Sequence, residues 1–173
     1  QGDSGDIDIL LRRSDDGGQT WSPIQTVWAD PGNTCGNPCP VVDRQSGAIS
    51  LLLTHNLGTD VEQQIIEGTS EGTRTVWLTR SEDDGHTWSP PQNITRTTKE
   101  ADWTWYATGP GAGIQLDSGR LVVPCDHIEA TSKKYFSHVI LSDDGGISWF
   151  LGGTTPQDQV NECEVVQLDN GNL

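Results

Sequence analysis

Methionine is absent from this chain, basic residues are scarce, and no apolar run approaches the length of a membrane span. The last point excludes a transmembrane helix within these residues, and no charged-then-apolar leader is visible at the start. Ten lysines and arginines face twenty-five aspartates and glutamates, for a formal net charge of −15. That balance argues against nucleic acid as a partner, because phosphate binding needs clustered cations. Helical periodicity is also missing: apolar residues come in short alternating runs separated by Gly, Pro and Asp. Cysteine is sparse as well, at Cys35, Cys39, Cys125 and Cys163. The Cys35-x3-Cys39 spacing has no second pair and no His-rich partner, so a zinc site is not read here. A local disulfide or two free thiols remain open for that pair. Cys125 and Cys163 each stand in an apolar run, as small buried residues do.

One octapeptide is present three times. It reads Ser14-Asp15-Asp16-Gly17-Gly18-Gln19-Thr20-Trp21, then Ser81-Glu82-Asp83-Asp84-Gly85-His86-Thr87-Trp88, then Ser142-Asp143-Asp144-Gly145-Gly146-Ile147-Ser148-Trp149. The shared pattern is Ser-x-Asp-x-Gly-x-(Thr/Ser)-Trp, and a repeat of this period signals a repeat architecture. Each copy follows an alternating apolar run, which makes it a hairpin turn. Gly18, Gly85 and Gly146 supply the positive φ of a tight turn. Asp16, Asp83 and Asp144 accept hydrogen bonds from turn amides, with the following hydroxyl as a second partner. Each Trp is expected to pin its hairpin between neighbouring strands. The acid of the octapeptide is thus read as structural.

In order, strands are expected at Ile7–Leu11, Ile24–Trp28, Pro40–Val42, Ile49–Thr54, from Thr75, at Gly113–Leu116, Arg120–Pro124 and Tyr135–Leu141, and at Glu162–Leu168. Asn33 to Cys39 reads as a long turn, and Gly58 to Gly72 as an exposed polar loop. Short strands between Gly/Pro/Asp turns give an all-β chain of propeller type. Residues 1–173 are read as part of a single domain, about three blades of it.

The repeated octapeptide resembles the Asp-box of sialidases (neuraminidases), where it recurs on successive blades of a six-bladed β-propeller. Other segments carry the likeness through the chain: Asp3 to Ser14; Gly36-Asn37-Pro38-Cys39-Pro40-Val41-Val42-Asp43; Trp105 to Leu116 with Gly119 to Pro124; and Asn161-Glu162-Cys163-Glu164-Val165-Val166-Gln167-Leu168. Asp-boxes also occur in propellers that bind glycan or protein without catalysis, and in other propeller glycosidases that use two carboxylates. They speak for fold before function.

The resemblance implies an exo-α-sialidase that removes terminal sialic acid with retention of configuration and needs no cofactor and no metal. Its substrates are sialylated glycoproteins, glycolipids or oligosaccharides. A tyrosine is the nucleophile in this family, a neighbouring glutamate takes its proton, a loop aspartate is the acid/base, and three arginines clamp the substrate carboxylate. On that pattern Asp3 matches the acid/base, with Asp6 as fallback, and Glu162 matches the glutamate. Alternation does not separate Glu162 from Glu164 if both lie on one strand. Asp126 and His127 fall where the family contacts the glycerol tail of the sugar. Arg12 and Arg13 read as a strand pair feeding the first box, and Tyr106 and Tyr135 as structural. The family's Arg clamp and Tyr nucleophile match nothing within residues 1–173, so this stretch alone is expected to be inactive and prone to aggregate. The compartment stays open, with a secreted, periplasmic or lysosomal setting expected ahead of the cytoplasm.

Overall fold

Strands whose faces are both covered lose the clean in-and-out alternation of a surface sheet, and this explains the two most buried strands here. A computed structural model describes residues 4–173. Its elements are β1 (Ile9–Leu11), β2 (Gln25–Trp28), β3 (Thr34–Val42), β4 (Ile49–Asn56), α1 (Glu62–Glu67), β5 (Thr75–Ser81), β6 (Gln92–Asn93), α2 (Thr95–Thr98), β7 (Trp103–Thr108), β8 (Ile114–Gln115), β9 (Leu121–Glu129), β10 (Tyr135–Ser142) and β11 (Phe150–Thr154). They form three antiparallel sheets: β1-β2, then β3-β4-β5-β6, then β11-β10-β9-β7, with β8 added to β9 below β7. The second and third sheets are up-and-down blades of a β-propeller, and β1-β2 is the outer half of a blade before them. Each octapeptide joins the last two strands of its sheet, so the repeat in sequence is the repeat in space.

β4 is buried from Ser50 to Thr54 and β9 from Leu121 to Ile128. Both are inner strands of their sheets, and each face meets another layer. The larger core lies between the two blades, with Cys39, Leu52 and Leu78 from one sheet against Tyr106, Val123 and Ile140 from the other. Gly113 lies at a close approach between them. A Cβ there would stand 2.7 Å from the Val122 carbonyl oxygen and 3.0 Å from Val41 Cβ, so only glycine fits.

The boxes lock as their chemistry implies. Asp16 accepts the Thr20 amide at 2.9 Å and its hydroxyl at 2.7 Å. Asp83 does the same with Thr87 at 2.8 and 2.6 Å, and Asp144 with Ser148 at 2.9 and 2.5 Å. Bonds to the ionised form hold it in place: the Thr20 amide foremost keeps Asp16 down at about 2, and the Thr87 hydroxyl foremost keeps Asp83 there. Because these folded-state values are depressed, the turn bonds contribute fully above the ordinary carboxylate range near 4 and are lost as pH falls toward 2. Neighbouring sheets also grip the boxes, through Gln25 to the His86 carbonyl at 3.0 Å and Arg80 to the Gly145 carbonyl at 3.0 Å.

Five expectations need correction. Trp149 is buried as foreseen, yet Trp21 is 58% exposed, because no sheet among the described residues covers β1-β2 on that side. Asn33 to Cys39 is strand, not turn: β3 runs from Thr34 and absorbs its Gly and Pro in a bulge between Gly36 and Cys39. The polar stretch 58–72 is a loop only in part: its middle forms α1, because Ile65 buries against Trp105 and Ile128, while Asp60 closes the rest through the amides of Glu71 and Gly72. Residues 162–168 form no strand, and no strand among the described residues pairs with them. All four cysteines are free thiols, and Cys163 is only half-buried. Among the described residues no helix is long and apolar enough to cross a membrane, and no group of metal-ligating side chains gathers.

Candidate functional site

A cleft of about 860 Å³ opens between the first two sheets and the face of the third. Its lining includes Asn37, Glu62, Arg74, Trp105, Asp126 and Glu162. Register explains how residues far apart in sequence meet there. Asp126 on β9 stands opposite Ala107 on β7 and Ser137 on β10. The period of two then sends Cys125 and His127 to the other face. His127 is 1% exposed, stacked on Trp103 with ring centres 3.4 Å apart, and its Nδ1 lies 3.0 Å from His138 Nδ1. Burial, then the Lys99 charge, holds His127 down at about 4. His138 also approaches the Tyr106 hydroxyl, which donates to the Thr98 carbonyl. Of the adjacent pair Asp126 and His127, only Asp126 reaches the cleft.

Glu162 is exposed along the cleft margin, and both neighbours tie its backbone down. The Ser137 hydroxyl donates to the Asn161 carbonyl at 2.5 Å, and the Cys163 thiol to the Cys125 carbonyl at 3.5 Å. Glu164 turns elsewhere, beside Gly111. Since this segment is not a strand, alternation does not place the two glutamates on one side. Position separates them: Glu162 lines the cleft and Glu164 does not.

Arg74 was not singled out by any motif. It precedes β5, is 2% exposed, and lies with its guanidinium carbon 3.7 Å from the centre of the Trp105 ring. Its nitrogens donate to Asn56 at 3.1 Å and to Asn37 at 2.7 Å. A buried guanidinium over an indole gains cation–π energy. Asn37 Oδ1 also accepts from Thr54 at 2.9 Å, which fixes the orientation of its amide beside the cleft. Only the Asn37-Pro38-Cys39 resemblance hinted at this residue.

Asp126 is the outlying titratable group. It is 2% exposed, and its Oδ2 has no hydrogen-bond partner among the described residues. Burial first, and the charge of Glu162 next, push its carboxyl up to about 7, while Arg74 pulls the other way.

Asp3 lies outside the described residues. Its fallback Asp6 accepts the Gly32 amide at 3.0 Å, a loop-bracing role. Arg12 is exposed, and Arg13 reaches Asp15 at 3.7 Å. Tyr106 is fully buried in the interblade core, and Tyr135 packs beside Ile65, Trp105 and Ile128.

A family model described as a BNR repeat-like domain matches residues 1–173. The exo-alpha-sialidase of Aspergillus fumigatus is 37% identical over 139 residues, covering 70% of this chain and 34% of that protein. Sialidase-3 of Bos taurus is 31% identical over 180 residues, covering 94% and 42%. The solved Hadza microbial sialidase Hz136 superposes with a TM-score of 0.80 at 30% identity, over 90% of this chain and 32% of that one. Trypanosoma rangeli sialidase in complex with 2,3-difluorosialic acid gives a TM-score of 0.77 at 19% identity, over 96% and 28%, a likeness of fold. The chain thus spans less than half the length of each of these relatives.

Proposed function

The chain belongs to the BNR-repeat sialidase family, and on that premise we propose that it builds part of the catalytic site of a retaining exo-α-sialidase. The substrate is a sialylated glycoprotein, glycolipid or oligosaccharide. The observation that carries this reading is Glu162, fixed at the cleft margin by anchors on both sides. In the reaction, Asp3 protonates the leaving oxygen as the glycosidic bond breaks. A tyrosine oxygen bonds to the anomeric carbon, and its proton passes to Glu162. Water then attacks that carbon, giving a proton to Asp3, while Glu162 returns its proton to the tyrosine. A neutral phenol avoids repulsion with the substrate carboxylate. The tyrosine and the Arg clamp are the parts that residues 1–173 do not match.

Comparing leaving groups tests this assignment. An aryl sialoside departs without help, whereas the alcohol of sialyllactose needs protonation. In the protein that carries this chain, Asp3→Ala is expected to cut turnover of sialyllactose by about 10²-fold or more and to leave release of the aryl group nearly unchanged. Equal losses on both substrates would remove the acid role from Asp3. Failure of the unmodified protein to cleave either would favour a glycan- or protein-binding propeller.

A further inference from the structure

Among the described residues, Oδ2 of Asp126 is a carboxylate oxygen of the cleft that is buried and without a hydrogen-bond partner; Trp88 Nε1 is the other partnerless atom of the lining. A buried acceptor in that state needs a reason, since an ionised carboxylate without donors is costly to desolvate. Among the described residues the surroundings of Asp126 offer it no free donor. From β7 it meets Ala107, with Trp105 on the same face; from β10 it meets Ser137, whose hydroxyl is committed to the Asn161 carbonyl. The charged groups facing it are Glu162 from the 161–168 segment, Glu62 from the start of α1, and Arg74 ahead of β5. Two of the three are acidic, and the guanidinium is engaged with Asn37, Asn56 and the Trp105 ring. His127, Cys125, Tyr106 and His138 lie behind the sheet, and the Cys163 thiol is turned to the Cys125 carbonyl.

We propose that Asp126 and Glu162 act as a carboxyl pair in which the buried Asp126 keeps the proton: its O–H is the hydrogen-bond donor on the cleft floor for an acceptor oxygen of the bound sugar, and losing that proton expels an anionic ligand. The protonation half rests on the burial of Asp126, its partnerless Oδ2 and the cleft lining it shares with Glu162; the ligand half rests on the sialidase reading. Like charges sharing a site are driven apart in their ionisation, and the group with less water holds the proton. Asp126 is that group. It is a positioning and specificity-setting residue, and it ties ligand binding to a pH below its own titration.

Two measurements on the protein carrying this chain test the proposal. The first follows the side-chain carboxyl ¹³C resonances of labelled aspartate from pH 4 to 9, with Asp126 identified by the signal missing in Asp126→Asn. A midpoint near the value of about 7 that its surroundings impose is expected, moving down in Glu162→Gln as the like charge is removed. A midpoint in the ordinary aspartate range, about 4, would overturn the pairing. The second measures N-acetylneuraminate affinity across pH 5.5 to 8.5 by calorimetry. Affinity should fall about tenfold per pH unit above the midpoint in the unmodified protein, and stay level in Asp126→Asn, whose amide still donates. Level affinity in the unmodified protein would overturn the gating role. No binding at any pH, with the midpoint still near 7, would overturn the sialidase reading and leave the carboxyl pair standing.

Discussion

Glu162→Gln is expected to slow cleavage of aryl sialosides and of sialyllactose alike, by about 10²- to 10⁴-fold, the usual contribution of a positioned general base. Every substrate must have the nucleophile activated, so a better leaving group gives no relief. Gln keeps the volume and the hydrogen-bonding reach of Glu but cannot take a proton. The anchors on either side of Glu162, from Ser137 to Asn161 and from Cys163 to Cys125, are backbone-directed and survive the change. Glu164→Gln is the control, because that side chain turns to Gly111 and stays outside the cleft. It should remain within about twofold of the unmodified protein, as exposed substitutions away from a site do. Steady-state rates on the two substrates decide the matter. A large loss at Glu164 with none at Glu162 would show that the other glutamate is the base.

The second large effect concerns folding, and it separates three repeats that look alike in sequence. Trp149→Ala should destabilise the chain by about 3–5 kcal/mol, the cost of emptying a buried indole site. Trp149 is 2% exposed, packs into the interblade core, and donates its ring N–H to the Gly146 carbonyl at 3.2 Å. Gly146 itself cannot carry a side chain to compensate, since a Cβ there would lie 2.1 Å from Ser50 Oγ. Trp21→Ala should cost no more than about 0.5 kcal/mol, because its ring is more than half in water. Urea unfolding of the two variants measures the difference. Equal costs would mean that the box tryptophans act through the turn itself and not through packing between sheets.

This contrast shows where the sequence was legible. The octapeptide announced its own turn, because Ser, Asp, Gly and Thr within eight residues close nearly all of their bonds locally. Strands were readable where a hairpin turn and alternation agreed, as at β5 and β10, and β4 from its short apolar run between turn signals. What depended on distant partners was not. Trp21 and Trp149 share one motif, yet the sheets around them differ. The run from Glu162 to Leu168 reads as a strand, but no strand among the described residues pairs with it. The pair Ile65-Ile66 in a polar stretch was a weak sign of α1, and its burial is set by Trp105, far along the chain.

At the site, the family resemblance named Glu162 and the stretch Asp126-His127, but only register could divide the latter. A period of two allows one of two neighbours to face the cleft, and β7 and β10 decide that it is Asp126. Arg74 was invisible for a related reason. A lone arginine ahead of a strand has no local signature, and its burial depends on Asn37, Asn56 and Trp105 arriving from separate elements. The net charge of −15 concealed this buried cation within an acidic chain.

The most direct test of the account is the configuration of the first sugar released. Proton NMR recorded during hydrolysis of sialyllactose, by the protein carrying this chain, separates α- from β-N-acetylneuraminate before the two equilibrate. Two displacements, first by tyrosine and then by water, predict the α-anomer as the first product, with the β-anomer growing in only by mutarotation. Initial release of the β-anomer would contradict the covalent step and, with it, the role given to Glu162.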